Sequence, residues 1–175
     1  PHSTAKYTRH NLSSYMVGAL ARLHNNVDRL HPQARMVMDE FGLVLPCRNP
    51  YMNTIAQFVE LWHNLHETME MAGCLADEGI REEVPPEIKR FGGTGTAAVE
   101  APRGILFHRY SFDEEGFCTF ADCCIPTNQN HANIQQDFNV MAPLMLEENL
   151  SGEEMKKRLS MLVRAYDPCI SCSTH

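Results

Sequence analysis

The chain has 175 residues, 43% of them apolar, enough for one domain with its own core. Its 15 basic residues against 22 acidic ones give a net charge of −7, and the lysines and arginines are scattered, so no basic stripe points to nucleic acid. No apolar run approaches the ~18 residues of a membrane span, and the first ten residues, PHSTAKYTRH, lack the apolar centre of a secretory signal.

SSYMVGALARLHNNVDRL reads as a turn and then a short helix, with Val17, Leu20, Leu23 and Val27 on one face. HPQARMVMDEFG opens a second helix after Pro32 and closes it at Gly42. PCRNPYMN is a loop broken by Pro46 and Pro50. From Tyr51 to about Gly73, a stripe of Ile55, Phe58, Val59, Trp62, Leu65, Met69 and Ala72 predicts a long helix whose stripe is core. Glu60 and His63 of this helix match half of a di-iron bundle pattern; the chain has no second Glu-x-x-His, so a solvated face is expected. REEVPPEIKRFGGTGTAAVE is a linker, and its Gly93-Thr94-Gly95 leads into a strand.

AAVEAPRGILFHRYSFDEEGFCTFADCCIP predicts a β-hairpin around DEEG. NHANIQQDFNVMAPLMLEENL gives a helix with Ile134, Phe138 and Met141 inward. SGEEMKKRLSMLVRAY gives another, capped by Ser151 with Glu154 in the capping-box position, and Pro168 ends it at Tyr166. The expected fold class is α+β and mainly helical, long helices packed with a small β-hairpin region, with residues 1–175 forming a single domain.

The seven cysteines are Cys47, Cys74, Cys118, Cys123, Cys124, Cys169 and Cys172. An odd count without a regular framework argues against a disulfide scaffold and for a reducing compartment. The last nine residues, DPCISCSTH, put a Cys-x-x-Cys and a terminal histidine just beyond a helix. Two thiolates so spaced can converge on one soft or borderline metal. On chemistry alone, half a zinc site completed by His175 or by a distant pair ranks first, ahead of a redox dithiol or a disordered tail.

DPCISCSTH resembles the C-terminal motif of nickel–iron hydrogenase large subunits, Asp-Pro-Cys-x-x-Cys-x-x-His, in which maturation leaves the histidine last. VGALARL resembles the family's Val-Gly-Pro-Leu-Ala-Arg segment, with Ala19 in place of proline. EAPRG, followed by ILFHRY, resembles its arginine-bearing loop, and CIPTNQN the loop that faces the iron. The order and spacing carry the resemblance along essentially the whole chain. PTNQNHANIQ is most similar to the cytosolic, methanogen-type branch, whose members serve deazaflavin- or heterodisulfide-reducing partners.

The resemblance implies a nickel–iron centre with cyanide and carbon monoxide on the iron. It makes Cys169 a terminal nickel thiolate and Cys172 a bridge between the metals; metal binding keeps a terminal thiolate deprotonated at neutral pH, so Cys169 is the expected catalytic base. It places Arg103 with Pro102 beside one cyanide and the Pro126-Thr127 loop beside the other, and the planar donors of Arg103 suit an electrostatic role over the open metal position, held by Asp167. It gives His175 a magnesium or iron ion, with the backbone carbonyl of Cys123 as co-ligand. It assigns no role to Cys47, Cys74, Cys118 or Cys124, for which buried structural thiols are the default.

The family's site needs four thiolates, and this chain has no second Cys-x-x-Cys; Cys123-Cys124 is adjacent and cannot mimic it. The expectation is therefore a C-terminal half of a large subunit, split naturally or by processing. Its other half, on a separate chain, would supply the missing pair, and an iron–sulfur small subunit would take the electrons. Pro1 fits removal of an initiator methionine as well as a cut boundary. A cytoplasmic location follows from the branch. Two rival readings are a non-catalytic scaffold related to respiratory-complex subunits, and a zinc module built on the tail.

Overall fold

The computed structural model describes residues 7–87 and 92–173. Three helices come first: α1 (Ala19–Asn26), α2 (Pro32–Glu40) and α3 (Asn53–Glu78). A sheet follows with β1 (Gly93–Ala101), β2 (Gly104–Phe112) and β3 (Cys118–Cys124), and then α4 (Pro126–Glu147), α5 (Gly152–Ala165) and the single turn α6 (Ile170–Ser173). Helices thus flank a small antiparallel sheet of order β1-β2-β3, the α+β class expected.

Two apolar clusters hold the helices. Leu20 and Leu23 of α1, Ala34 and Met38 of α2, and Ala56 and Val59 of α3 bury together with Leu43. Ile134 of α4 and Leu162 and Tyr166 at α5 form the second, with Phe138 and Met141 packed on it; Met16 touches both. Ser151 caps α5 through the complete capping box its sequence announces.

Four expectations need correction. The hairpin around DEEG is the β2–β3 pair, but GTGTAAVEA adds a third strand, and Pro102-Arg103 is the turn joining it to β2. PTNQN, expected as a loop and helix N-cap, is already the first turn of α4, because Pro126 takes the first helical position, where its missing N–H costs nothing. Helix α3 runs past Gly73 to Glu78. Its stripe is core only at its start: Val59 is 0% exposed, but Leu65 is 51% and Met69 62%. At 1.5 Å per residue α1 and α2 are only about 12–14 Å long against about 39 Å for α3, so they cannot cover it.

The two motif glycines let backbones meet. Gly18, at φ 115°, lies under the Arg103 carbonyl, 3.1 Å from where a Cβ would sit. Gly104, at φ 137°, faces Val17, whose Cγ2 would lie 2.5 Å from an added Cβ. Gly104→Ala therefore combines an unfavourable φ with a clash, and should cost about 2–4 kcal/mol in denaturant unfolding. A loss below about 0.5 kcal/mol, within the range of an ordinary surface change, would contradict the close packing.

Candidate functional site

The tail defines the site. Helix α5 stops at Tyr166, and Asp167 takes φ 48°, a left-handed turn that redirects the chain before Pro168. Cys169 follows, and α6 folds Cys172 back beside it, with the Cys172 N–H donating to the Cys169 carbonyl at 3.2 Å and the Cα atoms 5.3 Å apart. The two sulfurs are joined as a disulfide in this structure. Cys169 is half-buried and Cys172 exposed.

Distant segments lock this turn. Arg103 Nε donates to the Asp167 carbonyl at 2.8 Å and Nη2 to its Oδ1 at 3.1 Å, while Gln57 Nε2 donates to Oδ2 at 3.0 Å. Thr127 Oγ1 accepts the Cys169 N–H at 3.0 Å, and the buried Ser173 hydroxyl donates to Asn128 Oδ1. The first turn of α4 is thus a hub. Gln129 donates to the Ile105 carbonyl at 2.6 Å and accepts from the Tyr15 hydroxyl. Asn130 accepts from the Val17 N–H and donates to its carbonyl. Thr127, Asn128, Gln129 and Asn130 are each at most 3% exposed, so every one of these bonds replaces lost water.

Arg22 braces the arginine-bearing loop. Its Nε and Nη2 pair with both Glu60 oxygens at 2.6 and 2.7 Å. Its remaining N–H groups reach Glu100 Oε2 and the carbonyls of Ala101 and Pro102, at 2.8 to 2.9 Å. Hydrogen bonding to Glu60 raises the Arg22 pKa, so the guanidinium stays charged throughout. Glu60 is accordingly neither a metal ligand nor a solvated residue, and His63 accepts the His31 N–H.

Behind the tail, the Tyr166 hydroxyl donates to Asp137 and accepts from Asn133, both at 2.6 Å. Burial, and then the hydrogen bond to Asp137, raise the phenol pKa above its ordinary 10.0. The folded state thus holds the proton longer than the unfolded one. Its stabilisation is whole below pH ~10 and is lost above it by up to ~1.4 kcal/mol per pH unit. Tyr166→Phe should flatten that alkaline slope in unfolding measured across this range. An unchanged slope would remove Tyr166 as its source.

The predicted site residues fall into two sets. Arg103 meets Asp167, and Thr127 meets Cys169, with Pro126 buried beside Thr127 and Pro102 exposed in the neighbouring turn. The Cys123 thiol instead lies on the sheet against His108 and Tyr110. His175 lies outside the described residues. Sequence reasoning missed Asn53 and Gln57, and held Arg22 and the buried amides of α4 within quoted motifs without giving them a role. Asn53, which accepts from the Leu20 N–H and donates to the Ala165 carbonyl, and Gln57 lie four apart on one helix face, the single signal available for them.

As thiolates, Cys169 and Cys172 are soft donors held close together, which suits a nickel–iron pair. Among the described residues no three His, Cys, Asp or Glu side chains gather for a metal. Also among them, no helix is long and apolar enough to cross a membrane.

Residues 3–175 match the family model described as nickel-dependent hydrogenase. The alpha chain of sulfhydrogenase 1 from Pyrococcus furiosus is 35% identical over 99% of this chain and 40% of its own length. The matching component of the F420-non-reducing hydrogenase of Methanothermobacter marburgensis is 32% identical over 92% of this chain and 34% of its own. A crystal structure of an NAD+-reducing [NiFe]-hydrogenase in the H2-reduced state superposes with a TM-score of 0.77 at 26% identity, covering 95% of this chain and 37% of that one. The chain thus spans about two-fifths or less of the length of these relatives, and within that span it belongs to the nickel-dependent hydrogenase family.

Proposed function

We propose that this chain forms the C-terminal part of a hydrogenase catalytic unit that splits dihydrogen reversibly into protons and electrons. Electrons then pass through an iron–sulfur subunit to a deazaflavin- or heterodisulfide-reducing partner. The observation that carries the reading is the convergence of Arg103, Thr127 and the Cys169–Cys172 turn, tied by direct hydrogen bonds.

Cys169 and Cys172 would hold the nickel–iron pair with two thiolates from outside these 175 residues, and the Cys123 carbonyl and His175 would hold magnesium or iron. When bound, the pair, with cyanide and carbon monoxide on iron, supplies the Lewis acidity that polarises dihydrogen. Cys169 Sγ takes the proton released on cleavage, because metal ligation keeps a thiolate deprotonated at neutral pH. The planar guanidinium of Arg103 gives electrostatic stabilisation over the site. Asp167, held from the other side by Gln57, fixes the guanidinium plane. Thr127, whose oxygen already accepts the Cys169 N–H, keeps its own hydroxyl proton for an anionic diatomic ligand. The exposed face of α3, with Leu61, Leu65, Met69 and Leu75, is where the rest of the catalytic unit would pack.

Metal analysis and infrared spectroscopy of the complex purified through this chain test the proposal. Nickel and iron together with cyanide and carbonyl stretches are expected. Zinc alone, or no metal, would defeat it.

A further inference from the structure

We propose that His108, Tyr110 and Cys123 form a three-donor site for a zinc-class divalent cation on one face of the sheet. It uses the side chain of Cys123, whose carbonyl alone figures in the hydrogenase reading. His108 on β2 is paired directly with Cys123 on β3, and Tyr110, two residues along, points to the same face. Nothing large stands beside them on the neighbouring strands. Ala97 and Gly95 of β1 lie opposite His108 and Tyr110, and Ala121 of β3 lies opposite Tyr110. All three donors are half-buried, shielded by one another yet open to an ion.

The geometry matches. Cys123 Sγ lies 3.5 Å from His108 Nδ1 and 3.7 Å from the Tyr110 hydroxyl, and the last two are 3.0 Å apart. A tetrahedral zinc with Zn–S ~2.3 Å, Zn–N ~2.05 Å and Zn–O ~2.1 Å sets its ligands about 3.6, 3.6 and 3.4 Å apart in the same order. Only the imidazole and phenol must part, by about 0.4 Å, which a small rotation of either ring supplies. Thiolate with imidazole favours zinc-class ions over magnesium or calcium, and three protein ligands leave a fourth position for water. The same distances would suit a hydrogen-bonded trio without an ion, and reactivity separates the two.

The test uses the intact protein in its complex, labelled with iodoacetamide with and without Zn2+ and read by fragment-ion mass spectrometry at each cysteine. The exposed thiols of Cys74 and Cys118 serve as internal references. At ten times the dissociation constant, Zn2+ should slow Cys123 labelling about tenfold, leave both references unchanged, and have no counterpart with Mg2+. Equal labelling with and without Zn2+ overturns the proposal. If Cys123 is inert even without zinc, Co2+ decides. A thiolate-to-cobalt charge-transfer band should persist in the Cys169→Ser/Cys172→Ser double variant. It should vanish in His108→Ala and weaken in Tyr110→Phe, which keeps the ring and removes only the oxygen. No band, or one that survives His108→Ala, overturns the site.

Discussion

Cys169→Ser should abolish dihydrogen uptake in the assembled complex, a fall of about 10³-fold or more in H2-dependent dye reduction. Serine keeps the shape of the side chain but not its chemistry, since a hydroxyl stays protonated where a thiolate does not and is a poor ligand for a soft metal. The contact that positions this residue is made by its backbone, the Cys169 N–H to Thr127 Oγ1, and it survives the substitution. Assembly of the complex, followed by co-purification, should therefore be nearly unchanged. Activity within tenfold of the original protein would remove Cys169 from the role of base. Loss of assembly along with activity would mean that the thiol is structural.

Arg103→Lys should lower kcat by about 10²–10³-fold, the usual cost of removing one preorganised electrostatic stabiliser. Lysine retains the charge but offers one ammonium where the guanidinium reaches the Asp167 carbonyl and carboxylate from two nitrogens at once. The cation would then be neither planar nor held in one orientation. Stability should change by less than about 1 kcal/mol, because both partners are more than a third exposed, at 39% and 37%. The discriminating readout is kcat against KM: a rise in KM alone, with kcat intact, would place Arg103 in uniform binding and not in stabilising the reaction. Asp167→Asn should cost less than Arg103→Lys, since the Arg103 bond to the residue-167 carbonyl remains while the ion pair is lost.

The helices were legible wherever local signals agree. Pro32 opens α2, Ser151 and Glu154 open α5, and Pro168 forces the chain out of helical geometry, all from interactions within a few residues. Long-range facts were not legible. β1 is mostly glycine, alanine and threonine and looks like linker, and only pairing with β2 makes it a strand. The stripe on α3 has the pattern of core, but periodicity records which residues share a face and not whether a neighbour is long enough to cover it.

By itself the sequence determined the class of the fold, the family resemblance, and the reactive groups Cys169, Cys172, Arg103 and Asp167. Side-chain chemistry and local backbone preference are properties of the residues themselves. Only the tertiary structure decided which groups meet: that Glu60 closes on Arg22, that Gln57 holds Asp167, and that four buried side chains of PTNQN tie the tail, the sheet and the start of α1 together. It also turned the DPCISC thiols toward each other while setting Cys123 apart with His108 and Tyr110. The long-range ties made by Glu60, Gln57 and PTNQN join residues 24 to 114 positions apart. They are chosen by burial, which makes an unpaired polar group costly and so selects the one packing in which each finds its partner.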